Sequence, residues 1–170
     1  PRNGNPERTD MVWSYPKFTA FRDAQHLFST LALWTDDRVT LSGSGEAERV
    51  RSEIASGQYL RTLGIHPALG RDFLPEEDAH PDGPRVVLLA DELWKRRYNA
   101  SPSVLGQIAD IDGKPFTIVG VLPPGFRGLS GLAELWTPLM SMPAEELGEA
   151  WNHSFPLVAR LRDNVTVAQA

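Results

Sequence analysis

The stretch from residue 107 to residue 122, QIADIDGKPFTIVGVL, constrains the fold more than any other part of the sequence. Two strand-like runs flank the pair Asp112-Gly113. Asp and Gly tolerate the positive φ angles that a two-residue hairpin turn requires. The sequence therefore predicts an antiparallel hairpin, which ends at the Pro-Pro-Gly segment at 123–125.

Two further strands follow from their hydrophobic patterns. The segment RVVLLA, at 85–90, is a continuous apolar run, as is typical of a central strand covered on both faces. The segment ERVRSEIAS has a period of two, which predicts a half-buried strand. In it, Val50, Ser52 and Ile54 alternate with Arg49, Arg51 and Glu53.

Residues with capping chemistry predict three short helices. Ser14 or Tyr15 caps the first, whose first turn accepts Pro16 because an N–H is not needed there. The helix in QYLRTLG ends at Gly64, where a left-handed residue fits. Asp91 is predicted to cap the third helix, in DELWKRRYN.

The remaining segments give weaker predictions. STLALWTDDRVTLSG contains two short apolar runs separated by Asp36 and Asp37, and AELWTPL predicts a strand in which Pro138 marks an edge or an end. FPLVARLR alternates like a further strand. Thr166 and Gln169 have capping-box spacing, so a helix is expected to start where the sequence ends. We interpret this as the sign of a piece of a longer protein.

Composition excludes several classes of function. The chain has 170 residues, with 17 Lys plus Arg against 22 Asp plus Glu, which gives a net charge of −5. This acidic balance argues against a nucleic-acid partner. No cysteine is present, so disulfides, thiol catalysis and thiolate metal sites are excluded. No apolar run approaches the roughly 20 residues that span a bilayer.

The segment HPALGRDFLPEED is the strongest candidate for a site. Its three consecutive acids, Glu76, Glu77 and Asp78, suggest a metal site, a catalytic acid pair or a solvated loop. Acids that work as an acid–base pair are held by separate elements with different environments, whereas adjacent residues splay apart. Pro75 followed by acids is also typical of the first turn of a helix. We therefore expect an exposed acidic loop without bound metal.

Other motifs lack the spacing that their chemistry requires. The glycines around Gly106 and Gly113 do not have phosphate-loop spacing, and no nucleophile elbow surrounds Ser44. The run from Asp110 to Gly113 lacks the later acids of a calcium loop. The four histidines are scattered, at His26, His66, His80 and His153. We therefore assign no catalytic, cofactor-binding or metal-binding residues and expect no cofactor.

The order of these segments nevertheless resembles a known family. From about residue 14 to residue 170, the runs SYPKFTAFRDAQHLFSTLALW, ERVRSEIASGQYLRTLGIHPALGRDFLPEED, VVLLADELWKRRYNASPSVLGQIADIDGKPFTIVGVLPPGF, LWTPL and VARLRDNVTVAQA are similar to the MacB-like periplasmic core domain. That domain belongs to FtsX-type permeases of ABC transporters. In the family, the acidic loop has no known catalytic role.

The resemblance implies an α+β fold, with mixed β-sheets, flanking helices and two subdomains. Residues 1–13 would be a linker from a preceding membrane helix. One subdomain of β-α-β units would be discontinuous, from approximately 14–63 plus 143–170. A β-rich subdomain at 64–142 would be inserted into it.

The resemblance also implies a function on the extracytoplasmic (periplasmic) face of the bacterial inner or cell membrane. The domain would relay motion driven by ATP hydrolysis to substrate or partner proteins outside. Its partners would be the transmembrane helices of the permease, a cytoplasmic ATPase, and an adaptor or substrate protein in the periplasm. The fragment itself would not be an enzyme.

Two alternatives remain open on the sequence alone. One is a stand-alone extracytoplasmic ligand-binding or sensor module, which needs a concave apolar pocket with convergent polar groups. The other is a hydrolase that uses Asp or Glu. Only the interpretation as a transporter domain predicts membrane helices just beyond residues 1 and 170.

Overall fold

The computed structural model describes residues 12–148 and 155–169, which form an α+β fold. Most of the predicted linker lies outside these residues, as does His153, but Val12 and Trp13 form the first strand. The strands are β1 (Val12–Trp13), β2 (Phe28–Ser42), β3 (Glu48–Ala55), β4 (Leu69–Gly70), β5 (Val86–Leu89), β6 (Ile108–Ile111), β7 (Lys114–Val121), β8 (Leu135–Pro138) and β9 (Phe155–Leu161). The α-helices are α1 (Tyr15–Ala24), α2 (Tyr59–Leu63), α3 (Asp91–Tyr98) and α4 (Ala144–Gly148).

Six strands close into a hydrogen-bonded ring. The second half of β2 pairs with β3, and the circuit continues through β8, β5, β7 and β6 back to β2. The first half of β2 leaves the ring and pairs with β9, which in turn pairs with β1. The long strand β2 is therefore common to both parts of the sheet.

Apolar side chains fill the inside of the ring. The pairing register puts Leu41, Val87, Ile118 and Leu135 on the same side of their strands, and all four are fully buried. The opposite side of the ring is also covered, because Trp136 belongs to the same buried cluster as side chains of α2 and α3. This double coverage explains why β5 has no polar residue.

A second, smaller core cluster lies at the β1–β9–β2 end. It joins the first and last segments of the described chain to residues just after β8. Its buried members are Phe18, Leu31, Leu33, Leu139, Met140, Leu147 and Phe155. Because β2 contributes to both clusters, one continuous strand runs from one core to the other.

The local predictions based on turns and apolar runs are confirmed. Asp112 and Gly113 have φ angles of 51° and 77° and connect β6 to β7. Val86–Leu89 is a fully buried strand between β7 and β8. Gly64, with φ 72°, ends α2 in the left-handed conformation. Thr166 donates its backbone N–H to Gln169 at 2.8 Å, within a short 3-10 turn.

One sequence prediction about element boundaries is corrected, and two others become more definite. Asp36 and Asp37, which separate two apolar runs in the sequence, lie inside the single strand β2, where both are exposed and their charges stay in water. Asp91 is the first residue of α3 rather than its cap, which is Ala90; the Asp91 carboxylate instead pairs with Lys95 at 2.7 Å. Pro138 marks the end of β8, one of the two possibilities predicted, and the strand lies between β3 and β5 rather than at an edge.

Candidate functional site

The acidic stretch forms one turn of 3-10 helix at Pro75–Asp78, as the proline followed by acids predicted. Only Glu76 is exposed as expected. Glu77 is 5% exposed and Asp78 is half-buried, so the prediction that all three acids are exposed is wrong. The error has a physical cause, because each of these two carboxylates has a hydrogen-bond partner outside the turn.

Glu77 is held by Arg71. The guanidinium donates two parallel hydrogen bonds to the carboxylate, at 2.7 and 2.9 Å, in the bidentate geometry typical of strong Arg–carboxylate pairs. The same carboxylate accepts the backbone N–H of Leu74 at 2.8 Å, which supports the start of the turn. The hydrogen bond and charge of Glu77 raise the pKa of Arg71 further above its usual range. Glu77 is therefore a structural residue.

Asp78 connects this turn to the segment that follows β3. Its Oδ2 accepts the backbone N–H of Gly57 at 2.7 Å, while its buried Oδ1 has no hydrogen-bond partner. Burial raises the pKa of Asp78 to about 6, against the lowering effects of the Gly57 N–H and the Arg22 charge. The geometry makes Asp78 a contact between two distant chain segments.

The other candidates do not converge on a metal site. Within residues 12–148 and 155–169, no three His, Cys, Asp or Glu side chains are grouped to hold a metal ion. The Asp110 carboxylate instead accepts the backbone N–H of Gly113 within the hairpin, and the Asp112 carboxylate accepts the backbone N–H of Thr40 on β2. The three described histidines, His26, His66 and His80, are exposed and dispersed.

The most buried acid in the described chain was not recognised from the sequence. Glu53 has no exposed surface, although the strand pattern placed it on the polar side of β3. Its carboxylate accepts hydrogen bonds from the Tyr59 hydroxyl (2.5 Å), the Trp136 indole N–H (2.8 Å) and the Ser130 backbone N–H (2.7 Å). Burial, followed by the charge of Glu53, raises the pKa of Tyr59. Three donors compensate for burying this carboxylate.

This network fixes the loop from residue 127 to residue 133. The Tyr59 hydroxyl also accepts the backbone N–H of Leu129 at 2.9 Å. Gly128, with φ 70°, packs so closely against the Glu53 carboxylate that a Cβ has no room. The loop nevertheless exposes two apolar side chains, Leu129 at 42% and Leu132 at 55%. A buried carboxylate thus holds an exposed apolar loop in place.

A cavity opens at one mouth of the strand ring. Its volume is about 260 Å³. The apolar wall includes Val39, Ile54, Ile111 and Phe116, and the rim carries charged groups that include Asp37, Asp112, Lys114 and Glu146. Small-molecule pockets commonly measure about 300–1,000 Å³, so this cavity is at the small end.

Comparison with a family model gives the assignment. The model of the MacB-like periplasmic core domain matches residues 3–170. The chain belongs to the MacB-like periplasmic core domain family. In the described residues, no helix has the length and apolar content needed to cross a bilayer.

Solved structures agree with this family on the fold. The periplasmic region of MacB from Actinobacillus actinomycetemcomitans superimposes with a TM-score of 0.71 at 17% identity, covering 98% of this chain and 74% of that one. The extracellular domain of the noncanonic ABC-type transporter YknZ from Gram-positive bacteria gives 0.71 at 16% identity, covering 94% and 76%. A domain of a putative permease protein from Porphyromonas gingivalis gives 0.67 at 18% identity, covering 87% and 68%. No match was found among curated proteins.

Proposed function

We propose that this MacB-like periplasmic core domain relays ATP-driven motion of a permease to substrate or partner proteins outside the membrane. The observation that carries the proposal is the family match over residues 3–170. The route of motion is β2, because this 15-residue strand contributes side chains to both core clusters. A strand shared by both cores acts as a hinge between them, so a displacement of one core changes its position relative to the other.

We further propose that the domain works as two bodies, approximately 14–63 plus 143–170 and the insert 64–142. The smaller core cluster supports this division, since most of its members come from the first and last segments. Hydrogen bonds of β3 to β8 cross the proposed boundary, as does the Gly57–Asp78 contact. The bodies are therefore coupled rather than independent.

The location is tested by chemical labelling of the complete transporter in its own cells. Lys114 is exposed at the start of β7, and the chain has no cysteine of its own. Lys114→Cys is expected to react with a membrane-impermeant maleimide in intact cells, with the outer membrane permeabilised where one exists. Labelling only after the inner membrane is lysed contradicts the proposed location.

A stand-alone ligand-binding or sensor module is the second candidate, and the ring-mouth cavity favours it. Its apolar wall and charged rim combine the features of a ligand site, but its volume of about 260 Å³ is small for one. The two candidates differ in what happens during ATP turnover. Only a relay domain changes conformation when a cytoplasmic ATPase binds ATP.

A further inference from the structure

The outer side of the β2–β3 ribbon carries three arginines in close register. Arg38 lies directly opposite Arg51, and Arg49 follows two positions away on the same side of β3. Arg38 and Arg49 are exposed, and Arg51 is half-buried. Like charges directly opposite each other destabilise an antiparallel pair. The fold therefore keeps an unfavourable arrangement at this surface.

No carboxylate of the described chain neutralises this cluster. Across residues 12–148 and 155–169, no Asp or Glu oxygen lies within 4 Å of the charged nitrogens of the three arginines. Two acids near the ribbon, Glu48 and Glu134, pair with Arg96 instead, at 2.6 and 2.9 Å. One further acid, the exposed Asp36, lies two residues before Arg38 on the same side of β2. In a chain of net charge −5, three arginines on this side against one exposed carboxylate leave a local surplus of positive charge.

A loop with exposed apolar side chains ends beside Arg51. The backbone N–H of Glu134 donates to the carbonyl of Arg51 at 2.9 Å, so the end of the 127–133 loop lies against β3 at this point. The loop is held by Glu53, two residues beyond Arg51, through the Ser130 N–H. Leu129 and Leu132 are exposed on this fixed loop, whose end is hydrogen-bonded to the backbone of Arg51.

We propose that Arg38, Arg49, Arg51, Leu129 and Leu132, here named the arginine–leucine face, dock an acidic segment of another protein outside the membrane. Arginine is enriched in protein interfaces, and its planar fork binds carboxylates bidentately. The leucines supply the apolar contact, and a preordered loop reduces the entropy cost of binding.

A protein partner fits this face better than an anionic lipid surface or a second copy. The whole chain carries a net charge of −5, so both a negatively charged bilayer and another copy repel it at long range. An acidic segment small enough to contact only this face meets mainly the local positive charge. The inference deepens the proposed function, on which it rests, by naming the surface and chemistry of its partner.

Photo-crosslinking in the complete transporter, in its own cells, tests this inference. A benzophenone amino acid replaces Leu132, and the crosslinked peptide is identified by mass spectrometry. The expected product is another protein, joined at a segment rich in Asp and Glu. The double variant Arg38→Glu/Arg51→Glu is expected to lower the yield at least tenfold. Arg162→Glu, an exposed arginine after β9, is the matched control and leaves the yield unchanged.

The inference is overturned by a crosslink to lipid, by a crosslink to a second copy, by no crosslink, or by a yield that does not respond to the double variant. Membrane abundance of each variant is measured in parallel. If the double variant is not produced, Arg38→Gln/Arg51→Gln, which removes the charge without reversing it, replaces it with the same expectation. Maleimide labelling of Lys114→Cys in the same cells distinguishes a failure of the docking face from a failure of the proposed location. Labelling from outside without the expected crosslink rejects the docking face and leaves the proposed location standing.

Discussion

Asp78 accepts a 2.7 Å hydrogen bond from the backbone N–H of Gly57, a residue 21 positions earlier in the chain. A Cβ on Gly57 would lie 2.9 Å from the Cβ of Asp78, so the two segments are in close contact. The other carboxylate oxygen of Asp78 is buried without a partner. This contact joins the acidic turn to the connection between β3 and α2, across the proposed boundary between the two bodies.

The Asp78 contact predicts an unusual pH dependence of stability. Its pKa is about 6 in the folded protein, against 3.8 as the ordinary value, so the folded state binds the proton more tightly than the unfolded state. The stabilising contribution is fully present below the ordinary value and is lost as the pH rises through about 6. Between pH 8 and pH 4, wild type is expected to gain about 1–3 kcal/mol relative to Asp78→Asn.

Chemical denaturation of both proteins at several pH values measures this difference. The comparison removes the effects of other titrating groups, because they are common to both proteins. A constant difference between wild type and Asp78→Asn across this pH range contradicts the assignment of a raised pKa to Asp78.

The Arg71–Glu77 pair predicts that the two glutamates of the acidic turn differ in their effect on stability. Glu77→Ala leaves the Leu74 N–H without its acceptor and Arg71 without its partner. The free energy of unfolding is expected to fall by about 1–3 kcal/mol. Glu76→Ala, at an exposed neighbouring position, is the matched control and is expected to change it by less than about 0.5 kcal/mol. Equal effects of the two substitutions in thermal or urea unfolding contradict a structural role for Glu77.

Gly128 and Gly131 provide a test of the Glu53 network. Both have positive φ, 70° and 71°, so Ala is strained at either position. Only at Gly128 does the added Cβ meet the Glu53 carboxylate, whereas at Gly131 it meets open space. Gly128→Ala is therefore expected to lower the free energy of unfolding by about 1–3 kcal/mol more than Gly131→Ala. Similar unfolding midpoints for the two variants would show that the loop does not depend on this contact.

The acidic turn is also predicted not to bind a divalent cation stoichiometrically. Both carboxylate oxygens of Glu77 are held by Arg71, and Oδ2 of Asp78 is held by Gly57. The buried Oδ1 of Asp78 and the exposed Glu76 are too few protein ligands for a tight divalent-cation site. Calorimetric titration with calcium, magnesium and zinc is expected to give no 1:1 binding. Tight binding that disappears in Glu76→Ala/Glu77→Ala returns this turn to the candidate metal sites.

The parts of the fold that the sequence predicts are those set by neighbouring residues. The Asp112-Gly113 turn and the β5 strand depend on backbone preference and on a continuous apolar run, both of which are local. The continuity of β2 was not predicted, because two adjacent aspartates between apolar runs do not show whether they lie in a strand or in a turn. Asp36 and Asp37 are tolerated because the sheet leaves that part of β2 open to water.

Most of the candidate site could not be predicted, because it depends on residues that are far apart in the sequence. Glu53 is buried because Ser130 and Trp136 reach it from 77 and 83 residues further along the chain. Nothing in the alternation of β3 identifies such distant donors. The arginine–leucine face has the same origin, since the 127–133 loop and the β2–β3 ribbon meet only in the folded protein.

The most direct test of the relay is the distance between the two proposed bodies during ATP turnover. The distance between spin labels at Asp23→Cys on α1 and Lys114→Cys on β7 is measured in the complete transporter, with and without trapped ATP. A second pair, Lys95→Cys and Lys114→Cys, lies within the ring and its covering helix and serves as the control. The first distance distribution is expected to shift with ATP, while the control distribution is expected to stay the same. An unchanged first distribution in a transporter that hydrolyses ATP contradicts the relay.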